Sequence, residues 1–138
     1  MTSPLDATVL LCDAAVADMS GKMHMLGAGW SVTSSPTAPA AVVVLLKVPW
    51  DRANTKLRIA LTLVDADGRP VVIEDQTVGI ERFLEVGRPP GLEHGVPIDT
   101  SFTLSVGPMP LVPGRYRWLL DAAGQQFSAG FTVMAPGA

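Results

Sequence analysis

The sequence predicts an all-β chain, a single antiparallel β-sandwich of immunoglobulin-like character with about eight strands and little helix. Three observations predict it. Apolar and polar residues alternate with a period of two in several runs, helical spacing is nearly absent, and most of the 12 prolines and 13 glycines fall between the alternating runs.

Taken in order, Thr8 to Ala17 and Met23 to Thr33 flank the turn Met19-Ser20-Gly21-Lys22 and read as a hairpin. Cys12 to Met19 could alternatively form two helical turns capped by Asp13, but it lacks an i, i+3, i+4 apolar stripe. Ala40 to Leu46 is a strand apolar on both faces. Lys56 to Val64 shows the clearest alternation, with Leu57, Ile59, Leu61 and Leu63 on one side. It ends at Asp67-Gly68, whose glycine supplies the positive φ of a tight turn, and Val71 to Ile73 begins the expected return strand. Ile80 to Val86 reads as a single helical turn or a strand end. Phe102, Leu104 and Val106 define another strand. Tyr116, Trp118 and Leu120 pair across Ala122-Ala123-Gly124 with Phe127, Ala129, Phe131 and Val133. Pro113-Gly114-Arg115-Tyr116 has the form of a turn followed by a corner-pinning tyrosine.

At 138 residues and 14.5 kDa the chain holds one domain, residues 1–138, with residues 1–6 and 135–138 expected to fray. Apolar residues at 48% and charged residues at 17% exclude intrinsic disorder. A net charge of −3 leaves no basic surplus to neutralise a phosphate backbone, so no nucleic-acid partner is expected. One cysteine excludes an internal disulfide framework. The run Ala7 to Val16 has no basic residue before it and is interrupted by Asp13, which fits neither a secretory signal nor a membrane span. A cytoplasmic, soluble chain with no membrane partner is expected. Seven of the ten basic residues are arginine, which suits a GC-rich bacterial genome.

Val9-Leu10-Leu11-Cys12 and Ala40 to Leu46 carry more apolar surface than one buried face requires. Either a segment of the same chain covers the second face or another copy does. Few residues outside Ile80 to Pro97 are free to serve as a cover, so the expectation is a two-fold dimer packed through Val9, Leu11, Val43 and Leu45.

Chemistry is sparse. The two histidines, His24 and His94, sit in no metal-ligand spacing, and no cofactor is expected. His24 reads as a packed or rim residue. His94 lies in Arg88 to Pro97, the longest irregular stretch, where Arg88, Glu93 and His94 are candidate functional residues, and Trp50, at a strand end after Pro49, is added to them as the tryptophan expected to be partly exposed. Glu93 and His94 are adjacent and point apart in an extended segment. Cys12 lies in an apolar strand where a thiol is inert. Asp65-x-Asp67-Gly68 lacks the later ligands of a calcium loop.

Leu10-Leu11-Cys12-Asp13-Ala14, followed by Gly21-Lys22 and Leu26-Gly27, resembles the opening of a family of small uncharacterised bacterial single-domain proteins, a domain of unknown function. The Asp65-x-Asp67-Gly68 hairpin and Pro113-Gly114-x-Tyr116 follow in similar order. The resemblance implies a sandwich-like single domain and carries over no catalytic residue. The reading that follows is a non-catalytic binding or assembly module, partnered by itself or another protein. Its rivals are a metal-binding or hydrolytic sandwich using His24 and His94, and a carbohydrate- or small-ligand-binding module built around Trp50.

Overall fold

Alternation along the strands at Lys56–Asp65, Gly114–Ala122 and Gln125–Val133 fixes which face of the larger sheet is buried. In a computed structural model that describes residues 3–136, the strands form two sheets face to face, antiparallel except for one short parallel pairing in the larger sheet. The strands are β1 (Asp6–Cys12), β2 (Ala14–Ala17), β3 (Met23–Leu26), β4 (Val32–Thr33), β5 (Ala40–Val48), β6 (Lys56–Asp65), β7 (Val72–Ile73), β8 (Gln76–Thr77), β9 (Gly79–Glu85), β10 (Ile98–Val106), β11 (Gly114–Ala122) and β12 (Gln125–Val133). One sheet has three strands in the order β1-β5-β10, the other five in the order β4-β12-β11-β6-β9. Together they make the eight strands of the sandwich, and β2-β3 and β7-β8 are separate small hairpins. The only helical element among the described residues is a 3-10 turn at Trp50–Arg52.

The core lies between the sheets. Val42, Val44, Leu46 and Val48 point inward from β5 and meet Ile59, Leu61 and Leu63 of β6, Trp118 and Leu120 of β11, and Phe131 and Val133 of β12. Tyr116 stacks on Phe131 with ring centroids 5.7 Å apart, and its hydroxyl donates to the Val112 carbonyl at 2.7 Å. That bond ties the turn before β11 to its own strand, as expected of a corner tyrosine. No helix of the described residues is long and apolar enough to cross a membrane.

Two hairpins depart from the sequence reading. The turn at Met19 to Lys22 is present, but only Ala14–Ala17 and Met23–Leu26 pair across it, while β1 pairs with β5. The break falls at Asp13, whose N–H donates to the Leu26 carbonyl and whose side chain presses on Gly27 at φ +63°, where a Cβ would collide with the carboxylate. Cys12 to Met19 is not helix: Cys12 ends β1, Asp13 is a bend, Ala14–Ala17 is β2, and Met19 enters the turn. The return strand expected at Val71 makes a single bridge, Val64 to Pro70, and leaves as the β7-β8 hairpin. Glu74 and Asp75, both at positive φ, form the turn of that excursion. The partner of β6 is instead β9, which makes Ile80 to Glu85 an edge strand. The amino-terminal segment is packed from Ser3 onward. Leu5 is buried and its N–H donates to Gln125 Oε1. Of the ends expected to fray, residues 1–2 and 137–138 lie outside the described residues.

The apolar surplus of β1 and β5 finds its cover within the chain. Odd-numbered residues of β5 face away from the core, and there Val43 and Ala41 pack with Cys12 beneath Ala15, Met23 and Met25 of the β2-β3 hairpin. The molecule is thus locally three layers deep, with the hairpin as the third layer.

Candidate functional site

The outer face of the three-stranded sheet is built in rows that strand register defines. Cys12, Ala41 and Ser105 form the first row, followed by Leu10, Val43 and Thr103, then Thr8, Leu45 and Ser101, and last Asp6, Lys47 and Asp99. The β2-β3 hairpin covers the apolar end and stops short of the charged end, where Ser101 Oγ donates to the Gly21 carbonyl at the hairpin tip, at 3.2 Å. Beyond that tip the sheet opens into a cleft of about 440 Å³ lined by Met23, Met25, Leu45, Lys47 and Asp99. A second cleft of about 520 Å³ continues past Asp6 and Lys47, which line both, to a wall made by Trp50, Asp51, His94 and Pro97.

Each side chain is placed by a local device. Lys47, the penultimate residue of β5, sits between the carboxylates of its two neighbouring strands. Its Nζ is 2.8 Å from Asp99 Oδ1, and Asp99, with a smaller contribution from Asp6, pushes its pKa up. The ion pair is exposed, so its worth is organisational rather than stabilising. Pro49 precedes the 3-10 turn that carries Trp50, and Ser3 Oγ donates to Asp51 Oδ2 at 2.9 Å. The Arg88 guanidinium lies 3.6 Å from the indole centroid while its Nε and Nη2 donate to the Trp50 carbonyl at 3.1 and 3.0 Å. His94 stands with its ring centroid 3.9 Å from that of Trp50, tilted by 42°. Trp50 therefore anchors the loop before β10 at both of its halves.

The predicted residues divide cleanly. Trp50, Arg88 and His94 are brought together, whereas Glu93 is exposed and contributes only its carbonyl, which accepts from the Val96 N–H. Val9 and Leu11 are buried between the sheets, and Val43 is buried under the hairpin at 0% exposure. These three cannot form an interface in the folded chain, which corrects the expectation of a dimer packed through the faces of β1 and β5. Leu45 alone of that set is half-buried at a cleft mouth. His24 is exposed, with Nε2 2.7 Å from Asp18 Oδ2, at a hairpin turn that does not contain His94. Among the described residues no three His, Cys, Asp or Glu side chains converge as metal ligands would. Cys12 is fully buried, its thiol pushed up by burial and then by Asp13.

The row Asp6, Lys47 and Asp99 and the pair Met23 and Met25 escaped sequence reasoning. They sit on strands distant in the chain, and only register and the folding-over of the hairpin bring them to one groove.

No family model, curated protein or solved structure matches the chain.

Proposed function

We propose that the chain is a non-catalytic β-sandwich binding module whose recognition surface is the groove running from the β2-β3 hairpin tip to Trp50. One observation carries this reading: the hairpin covers only half of the outer sheet face, leaving Leu45 and the Asp6-Lys47-Asp99 row to open into two clefts that share residues. Apolar surface from Met23, Met25 and Leu45 adjoins a row in which two carboxylates flank one ammonium. Such a groove suits an extended segment of a partner protein that sets an apolar side chain beside a lysine or arginine.

The strand order supports the immunoglobulin-like reading as well. A three-stranded sheet faces a five-stranded one in which β4 runs parallel to β12, an arrangement compatible with an immunoglobulin-like two-sheet sandwich.

The carbohydrate reading is less well supported, because Arg88 and His94 already stand against the Trp50 indole, and a sugar stacking there would have to displace one of them.

n-Hexylammonium is a minimal probe of the groove, with hexanoate as its charge-reversed control and methyl glucoside as the sugar control. Calorimetric titration is expected to show saturable, salt-sensitive binding of the amine in roughly the millimolar range that so small a ligand permits, and none of hexanoate. Equal binding of both ions, or binding of the glucoside alone, would overturn the reading.

A further inference from the structure

We infer that β10 is a strand-addition edge and that its partner is β10 of a second copy of this chain. The inference is independent of the groove. It begins from how the sheet edges are finished, since an edge strand left open is a template for another chain.

Three of the four edges are guarded. β4 is two residues long. β1 is closed near its end, where the Leu11 carbonyl accepts from the Gly29 N–H. β9 carries Glu81, Arg82 and Glu85. A two-fold axis perpendicular to a sheet must set outward residues against outward ones and inward against inward. For β9 every such register near its centre opposes Glu81 to Glu81, Arg82 to Arg82 or Glu81 to Glu85, which are like charges.

β10 differs in each respect. It runs nine residues without proline or glycine, its sequence IDTSFTLSV is rich in β-branched and aromatic residues, and Asp99 is its one charge. Among the described residues its backbone pairs with β5 and with nothing else. Phe102 and Leu104 on its inward face are only half-buried, though they pack against the core.

The strand is also self-complementary. An antiparallel pairing centred on Phe102 matches all nine residues. It sets Phe102 against Phe102, Ser101 against Thr103, Thr100 against Leu104, Ile98 against Val106, and Asp99 against Ser105. No like charges meet. The two three-stranded sheets become one of six strands, with both sandwich cores on one side and both hairpins on the other. Self-association thus moves from the strand faces, which the chain covers itself, to a strand edge.

Ser105 supplies the test, because it is exposed and its expected partner across the two-fold is Asp99. Untagged protein is examined by native mass spectrometry and sedimentation over a wide concentration range. The expected result is a reversible species at twice the 14.5 kDa chain mass. Ser105→Asp places two like-charge pairs in the dimer and is expected to raise its dissociation constant about tenfold, while Ser105→Lys lowers it several-fold. Gln126→Asp, an equal charge change on the five-stranded sheet, should leave it unchanged. A monomer at every concentration overturns the inference. A dimer indifferent to both Ser105 variants, or equally weakened by Gln126→Asp, overturns β10 as its site.

Discussion

The indole of Trp50 and the imidazole of His94 stand with ring centroids 3.9 Å apart, joining the turn after β5 to the loop before β10. With Arg88 on the same indole, this contact gives the longest irregular stretch of the chain a fixed position beside the groove. Trp50→Ala removes the half-buried indole, the cation–π contact and the ring pair together. It is expected to cost about 2–3 kcal/mol in chemical denaturation. Amide exchange in residues 88–97 should accelerate, while exchange in the β5 and β6 core does not. Uniform acceleration across the sandwich would show that Trp50 serves the core and not the loop.

Val43 and Leu45 are successive outward residues of β5 with different surroundings. Val43→Glu buries a carboxylate in an apolar cluster beneath Met23 and Met25, and is expected to destabilise the chain by about 3–5 kcal/mol. Leu45→Glu, at the open cleft, should cost less than about 2 kcal/mol. Paired urea denaturation curves check the difference, and equal costs would mean that the hairpin does not cover Val43.

The long strands were legible because alternation reports which face is buried. Leu57 to Leu63 and Phe127 to Val133 needed nothing more. The fate of Ala40 to Leu46 was not legible, because an apolar second face states that a cover exists and not what it is. The cover came from Met23 and Met25, in a hairpin at whose base Asp13 and Gly27 approach closely, a contact that no periodicity encodes. Trp50, Arg88 and His94 were found because a long loop and a tryptophan after a proline are local signals. Asp6, Lys47 and Asp99 are each an ordinary strand-end charge until register sets them in one row.

Asp18 organises the turn of the covering hairpin. Its Oδ1 accepts from Ser20 Oγ at 2.6 Å, Ser20 N–H at 2.8 Å and Lys22 N–H at 3.1 Å, while its Oδ2 faces His24 Nε2. The Ser20 hydroxyl, then His24, hold its carboxyl well below the usual carboxylate range. The folded state therefore binds this proton more weakly than the unfolded chain. The stabilisation is complete above the ordinary aspartate pKa of about 4 and is lost as pH falls from there toward the folded value. Protection of the β2 and β3 amides, measured as exchange relative to the unstructured rate at the same pH, should fall between pH 5 and pH 3 in the parent chain. Asp18→Asn should exchange faster at pH 5 and lose most of that pH dependence. An unchanged pH profile in the variant would remove Asp18 from the account.

Cys12 is fully exposed to thiol reagents only when the hairpin or the sheet opens. Its Sγ lies 3.5 Å from the Ala41 carbonyl, and burial pushes the thiol above its ordinary range, against forming the reactive thiolate. Modification by an aromatic disulfide reagent at pH 8 should be at least about a hundredfold slower in the native chain than in denaturant. Val43→Glu should narrow that gap. Fast native labelling would show that the third layer does not stay closed.

The groove is tested most directly by following backbone amide resonances while n-hexylammonium is added to isotopically labelled protein. Saturable shifts should concentrate at Met23, Leu45, Lys47 and Asp99, and Asp99→Asn should weaken binding several-fold while leaving the fold intact. Shifts centred instead on the outer face of the five-stranded sheet, or no saturable shift at any residue, would contradict the proposal that this chain binds partners through the uncovered half of its smaller sheet.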